Sequence, residues 1–98
     1  MEKFNQIINN TKPVLVDFYA DWCAPCRTMT PILKQVKDDL GDKIRIIKVD
    51  VERNPEISQK YNIHSIPTIM LFKNGNVRWS GMGVVSAIQL KNIVISNS

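Results

Sequence analysis

Residues 14–20, VLVDFYA, form a nearly continuous apolar run rich in β-branched and aromatic side chains. Such a run reads as a central strand covered on both faces, because a half-exposed strand would alternate apolar and polar positions. A strand of that kind needs other strands beside it and a layer of structure on each side. The exception in the run is Asp17, since a buried charge is costly. Either Asp17 points to water, or a site beside it uses the acid. Six residues further on comes Cys23, the first of two cysteines, Cys23 and Cys26.

The rest of the chain supplies the layers. Phe4, Ile7 and Ile8 give a short first helix one apolar face, ended by Asn9-Asn10 and Pro13. Over residues 23–40, Met29, Ile32, Leu33, Val36 and Leu40 recur at helical spacing, Gly41 can cap the end, and Pro31 should kink the helix. Residues 44–51 read as the next strand. Asn54-Pro55-Glu56 reads as a helix start, with Asn as cap and an acid near the positive end, Ile57 and Tyr61 as its apolar face, and Asn62 as its end. Thr68–Lys73 and residues 77–81 flank Asn74-Gly75, the favoured two-residue type I′ turn, and form a hairpin. Ser86 to Gln89 has capping-box spacing and opens a last helix with Leu90, Ile93 and Val94 facing inward. The order α-β-α-β-α-β-β-α implies an α/β fold: a mixed sheet of about four strands with helices on both faces and a right-handed crossover between the first two strands. A length of 98 residues suits one domain over residues 1–98.

Composition excludes several functions. No window approaches the length of a membrane span. MEKFNQIINN lacks the apolar core and cleavage site of a secretory signal, so the expected location is cytoplasmic. The net charge of +4 comes from scattered residues with no basic stripe, which argues against nucleic-acid binding. Tetrahedral zinc needs four ligands, and only Cys23, Cys26 and His64 offer soft or imidazole donors, so no metal is expected. His64 reads as a surface residue near the loop that follows it. Trp79 and Met82 read as hairpin packing, with Met82 near the expected substrate surface.

Trp22-Cys23-Ala24-Pro25-Cys26 follows a strand and opens a helix. A bridge across two intervening residues closes so small a loop that it is a poor staple for the fold. That points to redox chemistry. Cys23 sits at the positive end of the helix dipole, where unsatisfied backbone N–H groups favour the reactive thiolate. Cys26 lies one turn inward on the same face. The arrangement suggests an outer nucleophile that forms a mixed disulfide and an inner thiol that resolves it.

Resolution requires Cys26 to lose its proton. Alternation places Leu15, Asp17 and Tyr19 on one face of the first strand and Val14, Val16 and Phe18 on the other. The Asp17 face is expected to lie under the Cys23 helix, beneath Cys26. Burial would raise the pKa of Asp17 and let it take that proton, directly or through a water, with Lys48 on the neighbouring strand stabilising the charged form. The alternative is a hydrogen-bonded structural acid, or one that faces solvent. Ile66-Pro67 precedes a strand, and base rates alone favour a trans bond there.

VDFYADWCAPCR, Pro31, KVDVERNPEISQKYNI, SIPTIMLFKNGN and the glycines around Met82 together resemble the thioredoxin family over nearly the whole chain. The resemblance implies a thioredoxin fold and a general protein-disulfide reductase of the cell's redox homeostasis. Its partners would be oxidised protein substrates and a flavin-dependent thioredoxin reductase that recycles it with NADPH. No cofactor of its own is implied. Carried over by position, Cys23 is the nucleophile, Cys26 the resolving cysteine, Asp17 the buried acid and Lys48 its lysine partner. Trp22, Ala24, Pro25, Ile66, Pro67, Gly83 and Val84 match the surface that receives substrate, with Ile66–Pro67 cis and the substrate backbone pairing beside Pro67.

Three departures stand out. Ala24 replaces the usual glycine, and Tyr19 stands where the family commonly has Trp. The family's extra strand before the first helix is missing or very short here. Residues 44–51 then form a sheet edge, a pairing liability, so a monomer is expected with an edge-strand dimer as the alternative. A fifth strand within residues 1–10 would refute this. The rivals are an oxidase or isomerase of the same fold, which tends to carry a histidine between the cysteines, and a non-catalytic binding module, which would not need both cysteines, Asp17 and Trp22.

Overall fold

A computed structural model describes residues 3–98. The elements run α1 (Phe4–Ile8), β1 (Val14–Tyr19), α2 (Ala24–Leu40), a 3-10 turn (Gly41–Lys43), β2 (Arg45–Asp50), α3 (Pro55–Lys60), β3 (Thr68–Lys73), β4 (Asn76–Met82) and α4 (Ala87–Ser96). Among the described residues the sheet has four strands in the order β2-β1-β3-β4. β1 pairs parallel with β2 and antiparallel with β3, and β3 pairs antiparallel with β4. The mixed sheet expected from the element order is therefore the one observed, with β2 at an edge. Over residues 3–10 the chain forms α1 and no strand, so the fifth strand that would have refuted the shortened sheet is absent there; residues 1 and 2 lie outside the described residues.

β1 is central because every residue from Val14 to Phe18 is buried. Its two faces feed two cores. Val14, Val16 and Phe18 pack with Ile8, Val49, Met70 and Phe72, and Phe4 and Ile7 from α1 and Ile57 from α3 close over them. Leu15 packs with Met29, Leu33 and Val36 of α2 and Leu90 and Val94 of α4. Two helices thus cover each face, and burying each of these side chains contributes about 1.5–3 kcal/mol. On the α1 side, the rings of Phe4, Tyr61 and Phe72 meet edge to face with centroids 5.3–5.8 Å apart.

Local chemistry sets the boundaries. Asn74 and Gly75 both have positive φ, as the two-residue turn between β3 and β4 requires. Their backbone N–H groups donate to Asn10 and Ile8, which ties the hairpin to the end of α1. Gly41 takes a positive φ at the C-cap of α2, and its N–H donates to the Lys37 carbonyl. Pro31 lies inside α2, and the helix continues through it to Leu40. Ser86 caps α4 by accepting the Gln89 N–H. The expected capping by Asn54 is corrected: Asn54 occupies the N-cap position, but its side chain accepts no helix N–H, and its amide is drawn back to donate to the Asp50 carbonyl at the end of β2, at 3.0 Å.

Candidate functional site

β1 ends at Tyr19, and the short turn through Trp22 delivers Cys23 to the N-cap of α2. The cap geometry follows from the residue type. A helix start leaves N–H groups without carbonyl partners, and the Cys23 Sγ accepts that of Cys26 at 3.2 Å. Pro25 sits in the first turn, where its missing N–H costs nothing. Cys23 and Cys26 are joined in a disulfide with a Cα–Cα separation of 5.3 Å.

Exposure does not separate an outer from an inner cysteine in this oxidised state: both are 3% exposed. Their neighbours do. Cys23 Sγ lies 3.8 Å from the Ile66 carbonyl oxygen, in the loop before β3. Cys26 lines a recess of about 130 Å³ together with Tyr19, Ala20, Asp21, Arg27, Thr30 and Lys48. One sulfur thus faces the loop and the other a small polar recess.

The loop is held in place from several sides. Ile66–Pro67 is cis, as the family resemblance implied. The Pro67 carbonyl accepts the Gly83 N–H at 2.8 Å, and the Thr68 hydroxyl donates to the Ser65 carbonyl at 2.6 Å. Gly83 has φ +81, a conformation that favours glycine, and Val84 beside it is exposed. Trp22 is 66% exposed, yet its indole N–H donates to Glu52 Oε1 at 3.0 Å. Glu52 is positioned by a turn in which Asp50 accepts its backbone N–H and that of Arg53. The fold thus brings Ile66 to the cysteines, which Trp22, Ala24 and Pro25 flank in the chain, and ties Gly83, followed by Val84, to Pro67.

Asp17 is fully buried on the Leu15 side of β1, and neither of its carboxylate oxygens has a hydrogen-bond partner among the described residues. Lys48 is its register partner on β2. Burial pushes the Asp17 carboxyl up from 3.8 to about 6, and the nearby Lys48 charge opposes that rise. Asp17 is therefore buried and not solvent-facing, and no described protein group hydrogen-bonds its carboxylate.

One neighbour escaped the sequence reading and another was read only in part. Glu52 has no local signal, since it meets Trp22 across 30 positions. Met82, read there as hairpin packing, is a correction: it is 75% exposed, with its sulfur accepting the Ser65 hydroxyl at 3.1 Å. It ends β4 opposite Thr68, beyond the helices that would cover it, while Trp79 does pack on the core. The glycines on either side of Met82 were the available signal. His64 is exposed as expected. Among the described residues no group of three or more His, Cys, Asp or Glu side chains is placed to hold a metal, and no helix is long and apolar enough to cross a membrane.

A disulfide between neighbouring turns of a helix start adds little to stability, and the groups around it bear on sulfur reactivity. The class this fold and site define is a thiol–disulfide oxidoreductase. Comparison with known proteins narrows it. The family model described as Thioredoxin matches residues 1–96. A thioredoxin from Rickettsia bellii is 47% identical over 79 residues, covering 81% of this chain and 75% of that protein. The chloroplastic thioredoxin Y1 of Arabidopsis thaliana is 48% identical over 84 residues, 86% of this chain but 49% of that protein, so the chain spans about half of its length. Oxidised mitochondrial thioredoxin 3 from Saccharomyces cerevisiae superposes with a TM-score of 0.84 at 29% identity, covering 95% of this chain and 86% of that one. The chain belongs to the thioredoxin family, and its redox-active cysteine pair carries out dithiol–disulfide exchange.

Proposed function

We propose that this chain is a general protein-disulfide reductase of cellular redox homeostasis, acting as one domain over residues 1–98 and as a monomer in the cytoplasm. A thioredoxin reductase recycles it with electrons from NADPH. The observation that carries the reading is the Cys23 sulfur at the helix start, accepting a backbone N–H at 3.2 Å. That bond and the helix dipole favour a thiolate at Cys23 over one elsewhere in the chain. The absence of a histidine between the cysteines favours a reductase over an oxidase.

The reaction runs in two exchanges. The Cys23 thiolate attacks one sulfur of a substrate disulfide, the substrate S–S bond breaks, and a mixed disulfide forms as the other substrate sulfur leaves as thiolate. Cys26 then gives up its proton to Asp17, directly or through one water, and attacks the Cys23 sulfur. The mixed disulfide breaks, the Cys23–Cys26 bond forms, and the substrate departs with two thiols. Two electrons have moved from the protein dithiol to the substrate. The recess beside Cys26, at about 130 Å³, is large enough to hold water. Asp17 suits the task because its pKa of about 6 leaves it able to bind and release a proton near neutrality.

Trp22, Ala24, Pro25, Ile66, Pro67, Gly83 and Val84 receive the substrate. The exposed Trp22, Ala24, Pro25 and Val84 and the backbone beside Pro67 favour an extended segment paired alongside the loop. Insulin-disulfide reduction coupled to thioredoxin reductase and NADPH tests the reading. Wild type should turn over, and Cys26→Ser should stall as the mixed disulfide. Full turnover by Cys26→Ser would sink the dithiol mechanism, and an oxidising equilibrium of the Cys23–Cys26 pair against glutathione would sink the reductase assignment.

A further inference from the structure

Asp17 and Lys48 are opposite charges in direct register on adjacent parallel strands. Asp17 is fully buried and without a hydrogen-bond partner among the described residues, so the simplest arrangement would bring the ammonium onto it. The ammonium is elsewhere. Lys48 Nζ lies over the ring of Tyr19, 4.4 Å from its centroid. Tyr19 is two positions after Asp17 in β1 and on the same face of the strand.

Two sites therefore compete for one cation. On the half-buried ring the ammonium keeps much of its water and gains about 0.5–1 kcal/mol from the ring face. On Asp17 it would shed that water to enter a closed site, where desolvation offsets much of the attraction. We propose that Tyr19 is a positioning residue whose ring holds the Lys48 ammonium off Asp17, so that the acid stays unpaired and able to accept a proton. This rests on the reading of Asp17 as the proton acceptor for Cys26. A direct ion pair would hold Asp17 ionised to lower pH and weaken it as a base. With the cation parked on Tyr19, the Lys48 charge moderates the acid without capturing it.

The surroundings leave Lys48 as the charge that matters. From β2, Lys48 faces Asp17. On α2, Cys26 is tied up in the disulfide, and the Arg27 guanidinium donates to the Asp21 backbone carbonyl at 2.9 Å. Asp21 itself lines the recess beyond Tyr19. The neighbour on β3 is Ile69, which is apolar.

Carboxyl carbon NMR of Asp17 in the oxidised full chain tests the proposal. The forms compared are wild type, Tyr19→Phe, Tyr19→Leu and Tyr19→Met, each with and without Lys48→Met. Tyr19→Phe keeps a ring face and should titrate with wild type. Tyr19→Leu and Tyr19→Met fill the site without a ring, free the ammonium, and should lower the Asp17 midpoint by about one pH unit, as an opposite charge at contact range does. In the Lys48→Met background the same substitutions should leave the midpoint where Lys48→Met alone puts it. An unchanged or raised midpoint in both ring-less variants overturns the proposal. So does an equal fall without Lys48, which would mean that the ring acts by excluding water. The relay reading is decided separately, by the rate and pH profile of the resolving step in Asp17→Asn. If Asp17→Asn resolves like wild type, the relay fails while the titrations still report where Tyr19 holds the cation.

Discussion

On one side of β1, Val14, Val16 and Phe18 pack among Ile8, Val49, Met70 and Phe72. On the other, Leu15 packs just as closely among Met29, Leu33 and Leu90, but the next position on that face is Asp17 and the one after it is Tyr19 with Lys48 on its ring. Both faces are dry. Burial on the first is favourable at every position, whereas on the second a carboxyl is held without a partner beneath the helix that carries the cysteines. One face accounts for why the strand is where it is, and the other for what the strand supports. Their difference predicts that substitutions one residue apart in sequence will act on stability with opposite sign.

The largest effect is expected at Phe18. Phe18→Ala empties a fully buried site and should cost about 3–5 kcal/mol in urea-unfolding free energy. The resolving step in the folded fraction should keep its rate and pH midpoint, because the cavity opens on the face away from Asp17. A shifted midpoint would break the comparison by coupling the two faces through the strand.

Next in size, and opposite in sign, is Asp17→Asn. The folded state holds the Asp17 proton up to about pH 6, whereas a carboxyl near 3.8 loses it earlier. Between those values the native protein binds more protons than the unfolded one, so stability falls as pH rises through that window. The full penalty is present above about pH 6 and amounts to about 3 kcal/mol at 1.36 kcal/mol per pH unit. Asp17→Asn should therefore gain up to about 3 kcal/mol at pH 7.5 and close to nothing at pH 4, read as the difference between two urea curves. The resolving step should slow by roughly 100-fold, the lower end of what general base catalysis contributes. A gain of the same size at both pH values would show that the penalty is packing rather than charge.

The apolar face was legible in the amino-acid sequence because period and burial state the same thing there. A nearly continuous apolar run reads as a covered strand, and the helices supplying Phe4 and Ile57 to that face carry matching stripes. The Asn74-Gly75 turn and the Ser86 cap were legible for a similar reason, since their chemistry is local. On the functional face, alternation put Asp17 on the Leu15 side but left its burial open, and the helix start was enough to set Cys23 at a cap. Side chains choosing between competing partners were not legible. Asn54 turned from its own helix to the Asp50 carbonyl, Trp22 met Glu52 across a fold-dependent gap, and Lys48 took a ring instead of a carboxylate. Each choice differs from its alternative by about 1 kcal/mol, and a residue pattern does not carry that resolution.

The smallest effect, and the sharpest test of how the two faces differ, is expected from Lys48→Met. Lys48 lowers the Asp17 pKa against the larger effect of burial, so removing it should raise the Asp17 midpoint above about 6. At pH 7.5 the carboxylate then becomes slightly harder to keep ionised, and the fold should lose less than about 1 kcal/mol, the range of a solvent-exposed charge. At pH 4, where Asp17 is protonated with or without Lys48, stability should not change through this route. The resolving step should follow the acid, with its pH midpoint moving upward in the same direction as the NMR titration. Val49, the next residue of β2, points into the apolar core, and Val49→Ala should cost stability equally at both pH values. If Lys48→Met loses stability at pH 4 as much as at pH 7.5, then Lys48 acts by covering the edge of the sheet, and the charge on this face does not reach Asp17.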